Sequence, residues 1–193
     1  MFNIPNYPET LKNNKEPILL HISDIPVSYY PFVYRVIQEL EPRYLIHTGD
    51  LADNIKLENN PQLIDFYITR ITPFIHTIEA YPIKEIFLIP GNHDHLPAIQ
   101  RACGRTQILE EGETILIEDV LINIAHYPWH LSGKANYYLY GHNFDEIPDS
   151  QDAIYLNGLN RINIILLHSK KVLHMDYPYG INQDRKMTSN KYF

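Results

Sequence analysis

The stretch Tyr44-Leu-Ile-His-Thr-Gly-Asp-Leu-Ala-Asp53 decides the fold, because a short apolar run ends there in a glycine and two carboxylates. A run of this kind, bounded by turn residues, is typical of a buried strand. The pattern recurs on either side. Pro17-Ile-Leu-Leu-His-Ile-Ser-Asp24 ends in a carboxylate, and Glu85-Ile-Phe-Leu-Ile89 leads into Pro90-Gly-Asn-His-Asp94. We therefore predict three buried strands, each followed by polar residues.

Helices are predicted in the two gaps between these strands. Apolar residues recur at helical spacing from Pro31 to Leu40, and Pro31 suits a first helical turn. A second helix begins at about Gln62, and Pro73 is expected to limit or kink it. Alternating strands and helices produce right-handed crossovers and a largely parallel sheet.

The pattern changes after about Gln107, where strands follow one another with little helix between them. The predicted strands are Thr114 to Ile117, Val120 to Ala125, Tyr137 to Tyr140, Ala153 to Leu156 and Ile162 to Leu173. The fold class predicted is therefore α/β, with two packed mixed β-sheets flanked by helices in four layers (αββα). We expect one domain over residues 1–193, with a polar N-terminal arm at 1–16. The polar tail at 181–193 is expected either to fray or to dock onto the body.

Composition narrows the classes of function. The net charge of −7 over 193 residues argues against a broad nucleic-acid surface, because phosphate contacts need clustered Lys and Arg. No apolar run approaches the ~20 residues that cross a bilayer, and Met1 to Pro17 lacks the apolar segment of a secretory signal. Cys103 is the only cysteine, which excludes a disulfide framework and a thiolate zinc cluster. A reducing compartment, the cytoplasm, is the predicted location.

Polar side chains collect where the predicted strands end. Since ligands bind outside the carboxyl ends of strands in α/β sheets, these side chains are expected to meet. The residues are Asp24, Asp50, Asn92 with His93, His126 and His142. Mixed oxygen and nitrogen donors suit Mn, Fe, Zn or Ni rather than calcium. His21 and His47 lie within strands and are interpreted as core residues.

Two of these motifs, in this order, resemble those of the calcineurin-like metallophosphoesterases. Gly49-Asp-Leu-Ala-Asp53 matches the family pattern G-D-x-x-D, and Gly91-Asn-His-Asp94 matches G-N-H-D. His126 and Gly141-His142 follow where the family has a single histidine and then G-H-x-H. The resemblance extends from Ile18 to about Phe144.

The resemblance implies a role for each of these positions. Asp50 would bridge two metal ions, and Asn92, His126 and His142 would complete one of the two sites. His93 would act as general acid near the leaving oxygen, and Asp53 would orient it. Metal in such a site lowers the pKa of bound water, so that hydroxide can attack phosphorus.

The sequence departs from the family at the other metal site. The family motif D-x-H is Asp24-Ile-Pro26 here, and the last histidine of G-H-x-H is Phe144. Neither Pro26 nor Phe144 can donate to a metal, so that site keeps Asp24 and the shared Asp50. We expect one well-held ion and a second held weakly or not at all. Replacement ligands remain an alternative, the candidates being His95, Tyr29, Tyr30 and Asn143.

Three functions are compatible with this sequence. The first is hydrolysis of phosphate mono- or diesters on a small substrate. The second is a catalytically weak relative that binds a protein or ligand as a scaffold, which Pro26 and Phe144 favour and which retention of His93 and Asp53 opposes. The third, a DNA nuclease, would require a basic groove that the scattered Lys and Arg do not indicate.

Overall fold

The computed structural model describes residues 7–11, 14–150 and 153–187. Ten strands in the described residues form a six-stranded and a four-stranded sheet flanked by helices, and the short strand at Gln107–Ile108 was not predicted. The predicted fold class of two mixed sheets flanked by helices is confirmed.

The six-stranded sheet positions the first three polar loops. Its order is β10-β9-β1-β2-β3-β4. The central strands β1 (Ile18–Ile22), β2 (Tyr44–His47), β3 (Glu85–Leu88) and β4 (Gln107–Ile108) run parallel. Ile22 pairs with His47, which pairs with Leu88, so the carboxyl ends of the three strands lie level. Two strands, β9 (Ile162–Leu166) and β10 (Lys171–Met175), extend the sheet in antiparallel fashion.

The four-stranded sheet brings the two later histidines to the same edge. It has the order β5 (Glu113–Ile117), β6 (Val120–Ile124), β7 (Tyr137–Tyr140) and β8 (Ile154–Asn157). The last three are parallel to one another, and β5 forms an antiparallel hairpin with β6. His126 therefore follows β6 and His142 follows β7 at one end of this sheet.

Two hydrophobic cores hold the layers together. Alternate residues of a strand point to opposite faces, so Leu19 and Leu20 enter different cores. The first core packs the large sheet against the helices α1 (Tyr30–Leu40), α2 (Ile64–Ala80) and α3 (Leu96–Ala102). The second core consists of strand residues from both sheets, together with neighbouring loop residues, and joins the two sheets face to face. No helix among the described residues is long and apolar enough to span a bilayer.

Two local predictions were wrong, namely that Ile162 to Leu173 is one stretch of strand and that Pro73 limits the second helix, while a kink at Pro73 stays a prediction. The segment Ile162 to Leu173 is two strands, β9 and β10, and the chain reverses between them with Lys170 in the left-handed region at φ 56°. No glycine or proline marks that turn. Helix α2 continues past Pro73 to Ala80. Proline has no N–H, so the Thr69 carbonyl one turn earlier lacks its helical hydrogen-bond donor. Both residues are exposed, and water can donate to that carbonyl instead. Helix α3 was not predicted.

The described part of the tail docks onto the body. Residues Ile181–Asp184 form the short helix α4, Ile181 is buried in the first core, and Arg185 is fully buried. Residues 188–193 lie outside the described residues, as do 1–6 and 12–13 of the predicted arm. Within that arm, Tyr7 packs against the first core.

Candidate metal centre

All the residues predicted for the site lie together where the strands end, linked by short contacts. They are Asp24, Asp50, Asp53, Asn92, His93, His126 and His142. Three of them, Asp24, Asp50 and His142, adopt left-handed backbone conformations, with φ of 54°, 57° and 72°. Non-glycine residues rarely adopt this conformation, and strain of this kind concentrates at functional sites.

The surroundings of His126 would suit a bound cation. Its Nδ1 lies 2.7 Å from the carbonyl oxygen of Thr48, which can only accept, so Nδ1 carries the proton. In the neutral ring Nε2 is then an acceptor. This Nε2 faces two further acceptors, Asn92 Oδ1 at 3.0 Å and Asp50 Oδ2 at 3.6 Å. Three acceptors around one point repel one another unless a positive charge lies between them.

A fourth donor atom completes this cluster. His142 Nδ1 lies 3.2 Å from Asn92 Oδ1, the same oxygen that His126 faces. The Asn92 amide is held in that orientation because its Nδ2 donates to Glu58 at 2.6 Å. The donor set of Asp50, Asn92, His126 and His142 therefore fits a divalent transition metal.

The other half of the centre has fewer donors. Asp24 is buried, and its Oδ2 accepts from the Ser23 hydroxyl at 2.5 Å and from the His142 backbone N–H at 3.2 Å. The ligand atoms of Asp24, Asp50 and His126 lie within 4.8 Å of one another. Pro26 and Phe144 stand where the family has histidines.

The four candidate replacement ligands all bind elsewhere. His95 caps α3 by accepting from the Ala98 N–H, and Tyr30 donates to the Leu51 carbonyl at 2.7 Å. Tyr29 donates to the Tyr179 carbonyl at 3.4 Å, and Asn143 Oδ1 accepts from the Asp145 N–H at 3.1 Å. One polar atom of each side chain therefore holds a loop or a helix end.

Buried carboxylates give the centre a strong negative field. Burial, followed by the charges of Asp24, Asp94 and Asp53, raises the pKa of Asp50 well above its ordinary value. Burial also raises the pKa of Asp94, although this carboxylate accepts the N–H groups of Asp50, Leu51 and Gly91 and thereby ties two loops together. A bound cation would relieve this repulsion.

Asp53 and His93 form a second cluster with Asp50, their ligand atoms lying within 4.8 Å of one another. The Asp53 Oδ1 atom accepts from the Lys56 ammonium at 2.5 Å, and Oδ2 is buried with no hydrogen-bond partner. Burial and the charge of Asp24 raise the pKa of Asp53 to about 6, against the opposing effect of Lys56. Burial lowers the pKa of His93 to about 4, with the charge of Lys56 acting in the same direction.

Glycines allow the loops to approach this closely. A Cβ on Gly141 would lie 2.5 Å from Asp24 Oδ2, and one on Gly49 would lie 2.6 Å from His126 Nδ1. Gly49 also has φ 98°, which disfavours any side chain there. The glycines of the sequence motifs therefore have a packing role at the centre.

The sequence alone did not reveal Arg185, which supports the first loop from the far end of the chain. Its guanidinium donates to the carbonyls of Asp24 at 2.7 Å, Leu159 at 2.8 Å and Ser23 at 3.2 Å. It also lies over the Tyr177 ring, 4.7 Å from the centroid. A lone arginine in a polar tail carries no sequence signal for such a contact. Lys56 and Glu58 were also not identified from the sequence as neighbours of the site. Their position just after the G-D-x-x-D motif was the sequence feature that could have indicated it.

The fold and the donor set define a two-sheet α/β protein with a centre suited to a divalent metal. The family model described as calcineurin-like phosphoesterase matches residues 18–192. The chain therefore belongs to the calcineurin-like phosphoesterase family, whose reaction class is metal-dependent hydrolysis of phosphate esters.

Solved structures are similar to this fold at low sequence identity. YfcE, a phosphoesterase from E. coli, matches with a TM-score of 0.52 and 14% identity, covering 82% of this chain and 97% of its own. Another crystal structure matches with a TM-score of 0.61 and 12% identity, covering 84% of this chain and 100% of its own. At these identities the likeness concerns the fold. No curated protein sequence matches the chain significantly.

Proposed function

We propose that the chain is a single-domain, cytoplasmic hydrolase of phosphate mono- or diesters of small molecules. The observation that carries the proposal is the meeting of His126 Nε2, Asn92 Oδ1 and Asp50 Oδ2, three acceptors arranged around one cation position. The net charge of −7 favours a small substrate over nucleic acid.

Asp50, Asn92, His126 and His142 would hold one ion of Mn, Fe, Zn or Ni. When bound, such an ion polarises the phosphoryl oxygen and makes a nucleophile available at neutral pH. A second ion would be held weakly or not at all, because Asp24 and the shared Asp50 are the family ligands that remain on that side. At this second metal site, the buried Asp24 Oδ2 already accepts hydrogen bonds from the Ser23 hydroxyl and the His142 backbone N–H.

His93 is proposed to deliver a proton to the leaving oxygen. Its pKa of about 4 reflects burial and the Lys56 charge, and the negative charge of a phosphate ester would oppose both. Asp53 is proposed to orient His93, and its buried, unpartnered Oδ2 is the atom available for that contact. Holding the protonated ring beside the leaving group places the acid where the developing charge appears.

A scaffold that binds a protein or ligand without turnover is the second candidate. Pro26 and Phe144 favour it, because they remove two metal donors from one side of the centre. The retained His93 and the low exposure of Asp53 weigh against it, since burying a catalytic pair of this kind has no evident use in a scaffold.

One experiment separates the two candidates. The purified protein is assayed for bound Mn, Fe, Zn and Ni per chain, and for hydrolysis of generic mono- and diesters, beside His93→Ala. His76, exposed on α2, provides a matched control as His76→Ala. About one metal per chain, with turnover lost in His93→Ala and kept in His76→Ala, supports the hydrolase. Absence of both metal and turnover after Mn²⁺ is supplied would establish the scaffold instead.

A further inference from the structure

An exposed aromatic pair lies beside the metal centre. Trp129, the only tryptophan of the chain, has 62% of its surface exposed. One face of its ring stacks on Tyr127, with centroids 4.7 Å apart and an interplanar angle of 27°. Because Tyr127 covers one face of the indole, the exposed surface belongs to the opposite face and the ring edge.

This pair is continuous with the proposed metal ligands. The Trp129 ring meets His142 edge-on, with centroids 5.4 Å apart. Tyr127 contacts both His142 at 4.5 Å and His126 at 5.0 Å. The indole therefore contacts one proposed donor directly and the other through Tyr127, which places it beside a phosphate bound at the centre.

Glu111 holds the loop that carries the pair. Its Oε2 accepts from the backbone N–H of His126 at 3.0 Å and of Tyr127 at 3.4 Å, and it lies 3.2 Å from His130 Nδ1. Pro128 to His130 form a short 3-10 turn, which sets Trp129 at its centre. A stacking surface fixed in this way binds a planar ring without first being ordered.

We propose that Trp129 and Tyr127 form a stacking platform for a planar aromatic group in the ester substrate, either a nucleobase or an aryl ring. The proposal deepens the proposed function, since it rests on phosphate binding at the metal centre and adds the chemical class of the ester group. Stacking on an exposed indole tolerates any base or aryl ring, because each offers a π-face.

In the part of the chain that the structure describes, the other exposed aromatic residues are Phe66 and Tyr179, and neither ring contacts His126 or His142. Phe66 on α2 is half-exposed, but Arg70 covers its ring, with the guanidinium 4.6 Å from the centroid. Trp129 is distinguished by its open face and its adjacency to His142. A flat face open to solvent at the rim of the centre favours a substrate ring over a protein partner, which would need a wider apolar surface.

Ring binding is measured by Trp129 fluorescence, since this residue is the sole indole. The probes, added to the Mn²⁺-loaded protein, are adenosine 5′-monophosphate, phenyl phosphate and glycerol 2-phosphate, all titrated on ice and read before turnover. The first two are expected to quench the indole with saturation, and glycerol 2-phosphate to leave it unchanged. Quenching by the nucleotide or by the phenyl ester alone identifies the source of the ring. Equal responses to all three probes would overturn the platform.

Kinetics provide the second measurement. Trp129→Ala is expected to raise KM about tenfold for the ring-bearing esters, which is ~1.4 kcal/mol of binding. KM for glycerol 2-phosphate should be unchanged, Trp129→Phe should restore most of the affinity, and Phe66→Ala should behave as wild type. An unchanged KM for every ester in Trp129→Ala would refute the platform and leave the hydrolase intact. If the wild type hydrolyses no ester but the indole is still quenched by the ring-bearing probes, the hydrolase fails and the ring site stands.

Discussion

Asp53→Asn should stabilise the metal-free protein while removing a proposed catalytic group. The carboxylate of Asp53 is completely buried, its Oδ2 has no hydrogen-bond partner, and the charge of Asp24 is close by. An asparagine has the same shape, carries no charge, and offers an N–H to the neighbouring carboxylates. The substitution therefore replaces a carboxylate that repels its neighbours by an amide that can donate a hydrogen bond to them.

The pKa of Asp53 determines the size and the pH window of the effect. It is raised from 3.8 to about 6, so the folded protein binds this proton more tightly than the unfolded chain does. Ionisation of Asp53 therefore destabilises the fold above pH 6, by about 3 kcal/mol at ~1.4 kcal/mol for each pH unit between the two values. That figure already includes the favourable contact with Lys56. Below about pH 4 both states are protonated, and the penalty disappears.

Urea unfolding of chelator-treated protein at pH 8, 6 and 4 tests this reasoning. Asp53→Asn should exceed the wild type by about 3 kcal/mol at pH 8, by slightly less at pH 6 and by well under ~1 kcal/mol at pH 4. Asp65→Asn, at an exposed position of α2, is the matched control and should change little at any pH. Equal stabilities of Asp53→Asn and wild type at pH 8 would show that the buried charge carries no such penalty.

Three other perturbations have defined outcomes. Mn²⁺ at a hundredfold excess over its Kd should raise the free energy of unfolding by about 2.7 kcal/mol, and calorimetry should show this gain lost in His126→Ala. Arg185→Met should lower the free energy of unfolding in urea by about 3–5 kcal/mol, because the buried Ser23 and Asp24 carbonyls lose their hydrogen-bond donor. A decrease below ~1 kcal/mol would contradict this expectation. Gly141→Ala should crowd the Ser23 hydroxyl and the Asp24 carboxylate, both within 2.5 Å of the added Cβ, and so shift the adjacent His142. Metal affinity measured by calorimetric titration should fall more than the melting temperature does; an unchanged affinity would count against a role for this loop in holding the ion.

Much of the fold was predictable, because its decisive elements are local in sequence. Apolar runs ending at Asp24, Asp50 and Gly91 predicted the three central strands, and family membership confirmed the resemblance drawn from the two motifs. The strands of the second half were also found, since apolar runs between turn residues mark them. The turn at Lys170 was not predicted, because no glycine, proline or asparagine marks it and a lysine rarely adopts the left-handed backbone conformation found there.

The positions of the proposed ligands at the strand ends were predictable from the sequence, and the residues that surround them were less so. A metal donor needs a particular side chain at a particular strand end, which a motif records. The residues that contact those donors lie near them only in the folded chain, and no motif marks them. Lys56 pairs with Asp53 and Glu58 holds the Asn92 amide, contacts that depend on the path of the loop. Trp129 reaches the centre because Glu111 folds its loop back.

The contact between Arg185 and Asp24 joins residues 161 positions apart. Strand β9 pairs with β1 over a comparable separation, so most of the entropic cost of closing this loop is already met when the sheet forms, and the arginine then fixes the first ligand loop. A nascent chain still lacking residue 185 would present the first ligand loop without its brace. We therefore expect a chain that ends before this arginine to lose the support of the Ser23 and Asp24 carbonyls while the pairing of the sheet strands is kept.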